Sequence, residues 1–324
     1  IQQEIILGIG GVRALKAMGV QPAAWHLNEG HAAFVVLQRI RDLIENGASF
    51  ESALEAVRST TIFTTHTPVP AGHDAFPFSL VETHLSGAWG TLGAYREALL
   101  ALGHYDNGSG PLFNMTALAL RTANFVNGVS QLHGQVTRDM WAPIWPGLDN
   151  AHRPVRAITN GIHVPTWLSL EMAALLDEFL PGDWRDRVDD PALWDAVMRI
   201  PDERLWETRQ ALRTYLFAFL RERARQRWKE EHVSAARVVA AGTLLDPSAL
   251  TIGFARRFTG YKRSELIFHS PERLVSILTA VRRPVQLVFA AKAHPADETR
   301  KHHTQPLHPP ALHSMFAARP PLLH

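Results

Sequence analysis

An arginine and a lysine, Arg257 and Lys262, lie five positions apart in the run Arg-Phe-Thr-Gly-Tyr-Lys. An apolar stretch that predicts a strand precedes them and a helix-like pattern follows, so both cations fall on a strand-to-helix turn. Arginine offers a planar fork of donors and lysine a compact point charge, while a helix N-terminus adds unpaired backbone N–H groups. This combination can bind a phosphate. A basic surface turn is the alternative, and the other motifs decide between the two interpretations.

Polar side chains also follow three other predicted strands, at the point where each strand ends. The first group contains Glu29 and His31, the second contains His66 before two prolines, and the third contains Asn160, with Trp167 shortly after it. Open α/β sheets bind ligands beyond the carboxyl ends of their strands. An asparagine amide offers a donor and an acceptor to a sugar hydroxyl, and a tryptophan offers a flat apolar face to a ring. A helix cap, a proline-fixed turn and a core tryptophan are the structural alternatives.

Two apparent motifs do not meet their geometric requirements. His26 and His31 are five positions apart rather than four, and no third ligand is evident, so we expect no bound metal. The run Gly8-Ile9-Gly10-Gly11 continues a helical pattern, whereas a dinucleotide-binding fingerprint follows a strand. We therefore interpret these glycines as positions where helices pack closely.

The composition excludes several classes of protein. The 324 residues are 46% hydrophobic and 20% charged, as in a globular protein of about two domains. The net charge of +2 comes from residues 299–324, which contain three basic and no acidic residues. The rest of the chain has no basic stripe with interleaved aromatics, so we expect no nucleic-acid partner. We find neither a signal peptide nor a membrane-length apolar stretch, and with no cysteine we expect a cytoplasmic location.

Short apolar runs alternate with amphipathic stretches along the chain, which predicts an α/β fold. The predicted strands cover residues 23–27, 60–64, 155–159, 250–255 and 285–290. The main predicted helices cover residues 2–18, 31–46, 50–59, 114–126 and 202–231. A segment rich in proline and aspartate at 181–191 marks a change of structural unit.

The motifs, taken in order, resemble those of the α-glucan (glycogen, starch or maltodextrin) phosphorylases, and their wording is similar to that of the shorter bacterial branch. The resemblance covers about residues 1–298. It is carried by the runs His-Leu-Asn-Glu-Gly-His, Thr-His-Thr-Pro-Val, Val-Asn-Gly-Val-Ser-Gln-Leu-His, Thr-Asn-Gly-Ile and Arg-Phe-Thr-Gly-Tyr-Lys-Arg.

The resemblance implies a GT-B-like α/β fold, in which two Rossmann-like domains face a cleft and pyridoxal 5′-phosphate lies between them. It implies that the terminal α-1,4 bond of a glucan is cleaved by orthophosphate to give α-glucose 1-phosphate. It also implies that the phosphate of the cofactor, and not its aldehyde, transfers the proton. Arg257 and Lys262 would bind the substrate phosphate, Arg256 would approach the cofactor phosphate, and Trp167 would lie against the cofactor.

Four further residues are assigned to the glucan side by the same resemblance. Asn160 and His66 would contact the glucosyl unit, His66 through its main-chain carbonyl. Glu29 and His31 would line the cleft. A cationic clamp fits this chemistry, because two phosphates face each other across a transition state with oxocarbenium character.

The family pattern divides the chain into four parts and leaves one element unmatched. We expect the C-terminal part of a glucan-side Rossmann-like domain at 1–165, a helical connection at 166–248, the truncated start of a second domain at 249–298, and a disordered or frameshifted tail at 299–324. Lys292 follows an alanine where the family has a glycine, so it does not match the cofactor lysine. We therefore expect an internal fragment that is inactive by itself, because the Schiff-base lysine is not present.

Two other functions are compatible with parts of this pattern. A nucleotide-sugar-dependent glucan synthase of the same fold uses an Arg/Lys pair at similar spacing. A noncatalytic glucan-binding fragment would share the polar strand ends. The motifs around Glu29 and Asn160 favour a phosphorylase over a synthase, and a phosphate clamp has no purpose in a module that binds only sugar.

Overall fold

The computed structural model describes residues 1–87, 89–106, 108, 110–230, 245–256, 262–280 and 282–290. The chain divides into two units, Ile1–Ile162 and His163–His324. Arg257 and the expected tail at 299–324 lie outside the described residues.

The first unit contains a parallel sheet and an antiparallel sheet. The parallel sheet has the strand order β1-β2-β6-β7 and the antiparallel sheet has the order β3-β5-β4. On β2, Thr64 pairs with Asn28 on one side and with Asn127 on the other, so the carboxyl ends of the parallel strands meet at one edge. The strands are β1 (Trp25–Asn28), β2 (Thr61–Thr65), β3 (Ala75–Phe76), β4 (His104–Asp106), β5 (Pro111–Asn114), β6 (Phe125–Gly128) and β7 (Val155–Ala157).

Helices connect these strands and begin where short polar side chains can cap them. Ser49, Asn114 and Ser130 each accept a hydrogen bond from the backbone N–H three residues later, at the start of helices at 50–59, 115–122 and 131–140. The helices are α1 (Gln2–Ile5), α2 (Gly11–Ala17), α3 (Val35–Glu45), α4 (Phe50–Ser59), α5 (Phe78–Leu85), α6 (Arg96–Gly103), α7 (Met115–Thr122) and α8 (Gln131–Met140).

The core of the first unit lies between the parallel sheet and its helices. Leu27, Phe63, Val126 and Val155, one from each parallel strand, are buried in the same apolar cluster as Phe34 of the segment before α3. Burying a side chain of this size contributes about 1.5–3 kcal/mol. The sheet is therefore anchored by one apolar residue per strand, while the strand ends remain available for polar groups.

The strands predicted in this unit are confirmed to within two residues, but the predicted helix at 114–126 is wrong at its end. The helix α7 ends at Thr122, and Ala123 has extended backbone. The N–H of Asn124 bonds to the carbonyls of Arg58 and Thr61, which aligns the next residues with β2. Val126 continues the helical spacing of apolar residues by chance, because it belongs to a strand with neighbours on both sides.

The glycine-rich start of the chain is helical, as predicted. Between α1 and α2 the backbone widens into one π-helical turn, Ile6–Gly10. A Cβ built on Gly8 would lie 2.7 Å from the Cβ of Phe34 and 2.8 Å from its carbonyl carbon. Gly8 therefore allows close approach of two segments, which confirms the packing interpretation at this position, whereas a Cβ on Gly10 or Gly11 would meet no close neighbour.

The second unit contains two parallel strands and several helices. The strands β8 (Leu250–Phe254) and β9 (Val285–Phe289) confirm the two predicted there and pair in parallel along their whole length. The long predicted helix is also confirmed up to residue 230. The helices are α9 (Val164–Trp167), α10 (Leu170–Phe179), α11 (Pro191–Trp194), α12 (Asp202–Glu230) and α13 (Pro271–Leu278).

Two apolar clusters stabilise the described part of the second unit. Leu176 and Trp184 are buried in the first cluster, and Leu274 and Leu287 in the second. Among the described helices of both units, none is long and apolar enough to cross a membrane.

Candidate functional site at the carboxyl edge of the parallel sheet

The carboxyl edge of the parallel sheet collects polar residues from four strands. Asn28 ends β1 and is followed by Glu29, while His66 follows β2 directly. Ser130 follows β6, and Asn160 lies three residues after β7. Because all four strands are parallel, these residues emerge on the same side of the sheet.

The Glu29 carboxylate joins the ends of β1 and β2. Its Oε1 accepts hydrogen bonds from the backbone N–H of His66 and from the Thr67 hydroxyl at 3.1 Å, and its Oε2 lies 3.5 Å from the Thr65 hydroxyl. Its own N–H donates to the Thr64 carbonyl at 2.9 Å. The peptide of His66 is thereby held by a charge-assisted bond, which is about twice as strong as a neutral one.

Glu29 reaches this position with an unusual backbone conformation. Its φ is 70° and its ψ is 168°, a region that only glycine adopts readily. Gly30 comes next and packs tightly, since a Cβ there would lie 2.6 Å from the Thr116 hydroxyl. The chain therefore turns sharply between β1 and the short 3-10 turn at Gly30–Ala32.

A row of side-chain hydrogen bonds lies along the same edge. The Thr64 hydroxyl donates to Asn127 Oδ1 at 2.8 Å, so it accepts from His26 Nε2, also at 2.8 Å. The imidazole Nε2 of His66 lies 2.6 Å from Asn28 Oδ1, which fixes the ring orientation. The polar groups of β1, β2 and β6 are thus arranged by one another before any ligand binds.

The ends of β6 and β7 are also fixed to each other. The N–H of Val129 donates to His133 Nδ1 at 3.2 Å, so the proton of this neutral imidazole is on Nε2. His133 is only 8% exposed, and its Nε2 has no hydrogen-bond partner among the described residues. The carbonyls of Gly128 and Val129 accept from Ile158 and Asn160, at 3.0 and 3.3 Å.

Three of the residues expected at the glucan side lie along this edge. Glu29 and His66 are in direct contact, and the main chain of Asn160 is bonded to the segment after β6, with its side chain exposed. His31 is exposed on the turn Gly30–Ala32.

The residues expected at the phosphate and the cofactor belong to the second unit. Trp167 ends α9 with 79% of its surface exposed, and Arg256 is exposed just after β8. Lys262 is half-buried and has an interaction of its own. Arg257 lies outside the described residues. Of the two cations predicted to bind the substrate phosphate, the structure therefore describes only Lys262.

Several residues of the edge were not predicted as site residues. Asn28, Thr65 and Thr67 bond directly to the Glu29 or His66 side chain, the others form the neighbouring hydrogen bonds of the edge, and the sequence signals of all of them are weak. Asn28 and Thr67 are neighbours of predicted residues, and the spacing Ser130-x-x-His133 is a helix-cap signal that carries no indication of a site. The other members are Thr64, Thr65 and Asn127.

The fold and the edge define an α/β protein with a preorganised polar site at the ends of its parallel strands. No family model matches the chain. It is 45% identical over 301 residues to the maltodextrin phosphorylase of Thermococcus litoralis, covering 93% of this chain and 35% of that protein. It is 40% identical over 336 residues to the glycogen phosphorylase of Mycobacterium tuberculosis, covering 100% of this chain and 38% of that protein. It is 38% identical over 297 residues to the glycogen phosphorylase of Aquifex aeolicus, covering 92% of this chain and 42% of that protein.

By sequence, the chain therefore belongs to the α-glucan phosphorylase family. It spans between 35% and 42% of the length of these three relatives.

Proposed function

We propose that this chain carries the glucan-binding edge of an α-glucan phosphorylase. The enzyme transfers the terminal α-1,4-linked glucosyl unit of glycogen or maltodextrin to orthophosphate in the cytoplasm and forms α-glucose 1-phosphate. A GT-B-like arrangement of two Rossmann-like domains, glucan-side at 1–165 and phosphate-side from 249, is part of this proposal. Its sequence support is the 45% identity to a maltodextrin phosphorylase over 301 residues.

The observation that carries the proposal is the contact between Glu29 and His66. The carboxylate accepts from the His66 N–H on one side of the His66 carbonyl and from the Thr67 hydroxyl on the other, so it restrains the segment whose carbonyl would accept a hydrogen bond from the glucosyl unit. The Asn160 amide would bind a second hydroxyl, and His31 would line the cleft. Fixed acceptors and donors accelerate glycosyl transfer by holding the sugar in a reactive orientation.

The proposed phosphate side consists of Arg257 and Lys262. Two cations on a strand-to-helix turn would neutralise the orthophosphate as it approaches the sugar. No enzyme carboxylate has to attack the sugar, because the phosphate is the acceptor. Glu29 is consistent with this, since its carboxylate is already committed to His66 and Thr67.

Pyridoxal 5′-phosphate, the cofactor that the family implies, would supply a phosphate group for proton transfer. The residues assigned to it here are Trp167, which is 79% exposed, and Arg256, which is also exposed. By themselves these two exposed residues do not enclose a cofactor.

A chimeric enzyme tests the proposed function. Residues 1–290 of this chain replace the matched segment of the Thermococcus litoralis maltodextrin phosphorylase, and release of glucose 1-phosphate from maltodextrin and orthophosphate is measured. We expect activity, and we expect Glu29→Gln in the chimera to lower kcat/KM at least tenfold, about 1.4 kcal/mol of transition-state stabilisation. Lys262→Ala should raise the KM for phosphate, whereas His84→Gln, at a half-buried position of α5, should change neither value.

The splice is controlled by a second chimera that carries the Aquifex aeolicus segment instead. If this control is active while the chimera with our chain folds and binds maltodextrin without turnover, the noncatalytic glucan-binding alternative is correct. Glucosyl transfer from a nucleotide sugar, without use of orthophosphate, would support the synthase alternative instead.

A further inference from the structure

Three arginines lie at the amino edge of the parallel sheet, opposite the edge that carries the candidate site. Arg39 is in the middle of α3, and Arg58 and Arg121 lie in the last turns of α4 and α7. Arg39 donates at 2.7 Å to the hydroxyl of Thr61, the first residue of β2. The carboxyl end of β2 lies four residues further on, about 13 Å away. The two edges are therefore separate surfaces of the first unit.

A short series of hydrogen bonds joins these arginines into one patch. The backbone N–H of Asn124, just before β6, donates to the carbonyls of Thr61 and Arg58, both at 3.2 Å. Arg58 Nε in turn donates to the Arg121 carbonyl at 2.7 Å. Because Arg39 bonds the Thr61 side chain, all three arginines meet around the starts of β2 and β6. We call the patch formed by Arg39, Arg58 and Arg121 the arginine edge.

The arginine edge has no carboxylate partner within the described part of the chain. Every hydrogen bond of its guanidinium groups ends at a neutral oxygen, a threonine hydroxyl for Arg39 and a backbone carbonyl for Arg58 and Arg121. All three residues are half-buried. Burial lowers the pKa of Arg39 to about 10 and also lowers the pKa of Arg121. Buried charges in proteins are normally paired with an opposite charge, and here that charge has to come from a ligand.

Capping of helix ends is the structural alternative for two of these arginines. Arg121 Nη1 donates to the carbonyls of Leu102 and His104, at the end of α6, both at 2.7 Å. A helix end carries about half a negative charge, which favours a cation there. Capping, however, uses one nitrogen of Arg58 and one of Arg121, and their other guanidinium nitrogens make no hydrogen bond with the described residues. Arg39 is not at a helix end, so capping does not account for it.

The chemistry of the arginine edge fits side-chain carboxylates. A guanidinium group is a planar fork of donors that matches the two oxygens of a carboxylate. Carboxylates on flexible side chains can reach half-buried cations on three different helices, which one small anion cannot do at the same time. The Trp25 ring adds an aromatic surface, since its centroid lies 5.0 Å from the Cζ of Arg39. Arginine and tryptophan are enriched among the residues that dominate the energy of protein–protein binding.

We propose that the arginine edge binds an acidic peptide segment of a partner protein, with aspartate or glutamate carboxylates paired to Arg39, Arg58 and Arg121. This binding is independent of the proposed glucan site, because it uses the opposite edge of the sheet. Charge attraction contributes to the association, so added salt should weaken it.

Fluorescence anisotropy of a labelled hexaglutamate peptide, titrated with the full 324-residue chain, tests the proposal. We expect saturable binding that weakens with salt, and no binding of hexaglutamine. Arg58→Gln and Arg121→Gln should each weaken binding about tenfold, since each removes a charge-assisted hydrogen bond. The matched control is Arg41→Gln, which removes the same charge from α3 but affects a guanidinium that is already paired with Glu45 at 2.8 Å. It should leave the affinity unchanged.

Hydrogen exchange of the wild-type chain decides the question even where a variant fails to fold. Bound hexaglutamate should slow exchange in segments 56–61 and 121–125 and leave segments 28–31 and 65–67, at the carboxyl edge, unchanged. The proposal is overturned if the wild-type chain does not bind the peptide, or if exchange slows only at the carboxyl edge. Folded Arg58→Gln and Arg121→Gln variants that bind as the wild type does would establish the capping alternative. Tighter binding of tripolyphosphate than of hexaglutamate would also overturn it, in favour of a phosphate ligand.

Discussion

Substitution of Glu29 by alanine measures how much its carboxylate stabilises the sheet edge. The alanine variant keeps the backbone at a φ of 70° and loses the bonds to His66 and Thr67. Hydrogen bonds to a charged group contribute about 1.5–3 kcal/mol each when both partners are well ordered. Because His66 is exposed and regains water, we expect values at the low end of this range. The variant should lose about 2–3 kcal/mol of local stability in total.

Substitution of Glu29 by glycine loses the same hydrogen bonds but removes the backbone strain. The native φ and ψ cost a residue with a side chain about 1–3 kcal/mol, and glycine adopts them freely. Glycine also gains about 0.5–1 kcal/mol of conformational freedom in the unfolded chain relative to alanine. The balance makes the glycine variant more stable than the alanine variant by about 1 kcal/mol.

Hydrogen exchange of peptides from β1 and β2, followed by mass spectrometry, measures the free energy of local opening in both variants. The matched control is the same pair of substitutions at Glu55, an exposed position in the middle of α4. There, alanine should be more stable than glycine by about 1 kcal/mol. If alanine is also the more stable residue at position 29, the strain assigned to Glu29 is not present and the reasoning is refuted.

Three further predictions concern packing, a half-buried cation and pH. In urea unfolding, Gly8→Ala should lower the free energy of unfolding by about 2–3 kcal/mol because its Cβ collides with Phe34. The control Gly11→Ala, with nothing within 4 Å of its Cβ, should raise it by about 0.5–1 kcal/mol. Equal effects of the two substitutions would contradict the close contact at Gly8. Arg39→Lys should lower the free energy of unfolding by about 1–3 kcal/mol in the same assay, because lysine lacks the planar fork that binds two threonine hydroxyls. An unchanged urea midpoint would contradict this prediction. Burial lowers the pKa of His73 below 6.5, so the unfolded chain binds more protons and the free energy of unfolding falls as the pH drops from 6.5. When unfolding is measured at several pH values, the His73→Asn variant should lose less stability than the wild type over this range. Parallel stability curves for the two proteins would contradict the lowered pKa of His73.

The sequence predicted the elements that repeat a simple pattern and missed those that depend on distant contacts. The strands containing Phe63 and Val155 were predicted because runs of β-branched and aromatic residues lie between polar turns. The antiparallel sheet was missed, because Ala75–Phe76 and His104–Asp106 are too short to show alternation. Phe125 was assigned to a helix, since a short apolar run has no periodicity of its own and only its pairing with Ile62 makes it a strand.

The location of three expected residues at the sheet edge followed from the sequence, but the hydrogen bonds that connect them did not. The rule that parallel strands carry ligand sites at their carboxyl ends drew attention to Glu29, His66 and Asn160, and the roles expected for them come from the family resemblance and stay predictions. The bond from His66 to Glu29 was not predictable, because it requires a positive φ at a residue other than glycine. The unpartnered Nε2 of His133 is likewise a property of packing, since in the sequence this histidine is only the third residue of a capped helix.

The strain at Glu29 is itself an argument for the proposed function. A strained residue persists where the surrounding contacts outweigh its cost, and such residues cluster at functional sites. Here those contacts hold one specific peptide, that of His66, at the end of the central strand β2. A structural turn would be made at lower cost by glycine at position 29, but glycine could not hold His66. The conformation is therefore explained if the position of the segment His66–Thr67 matters, because the carbonyl between the two groups that Glu29 binds is the one proposed to accept from a glucosyl unit.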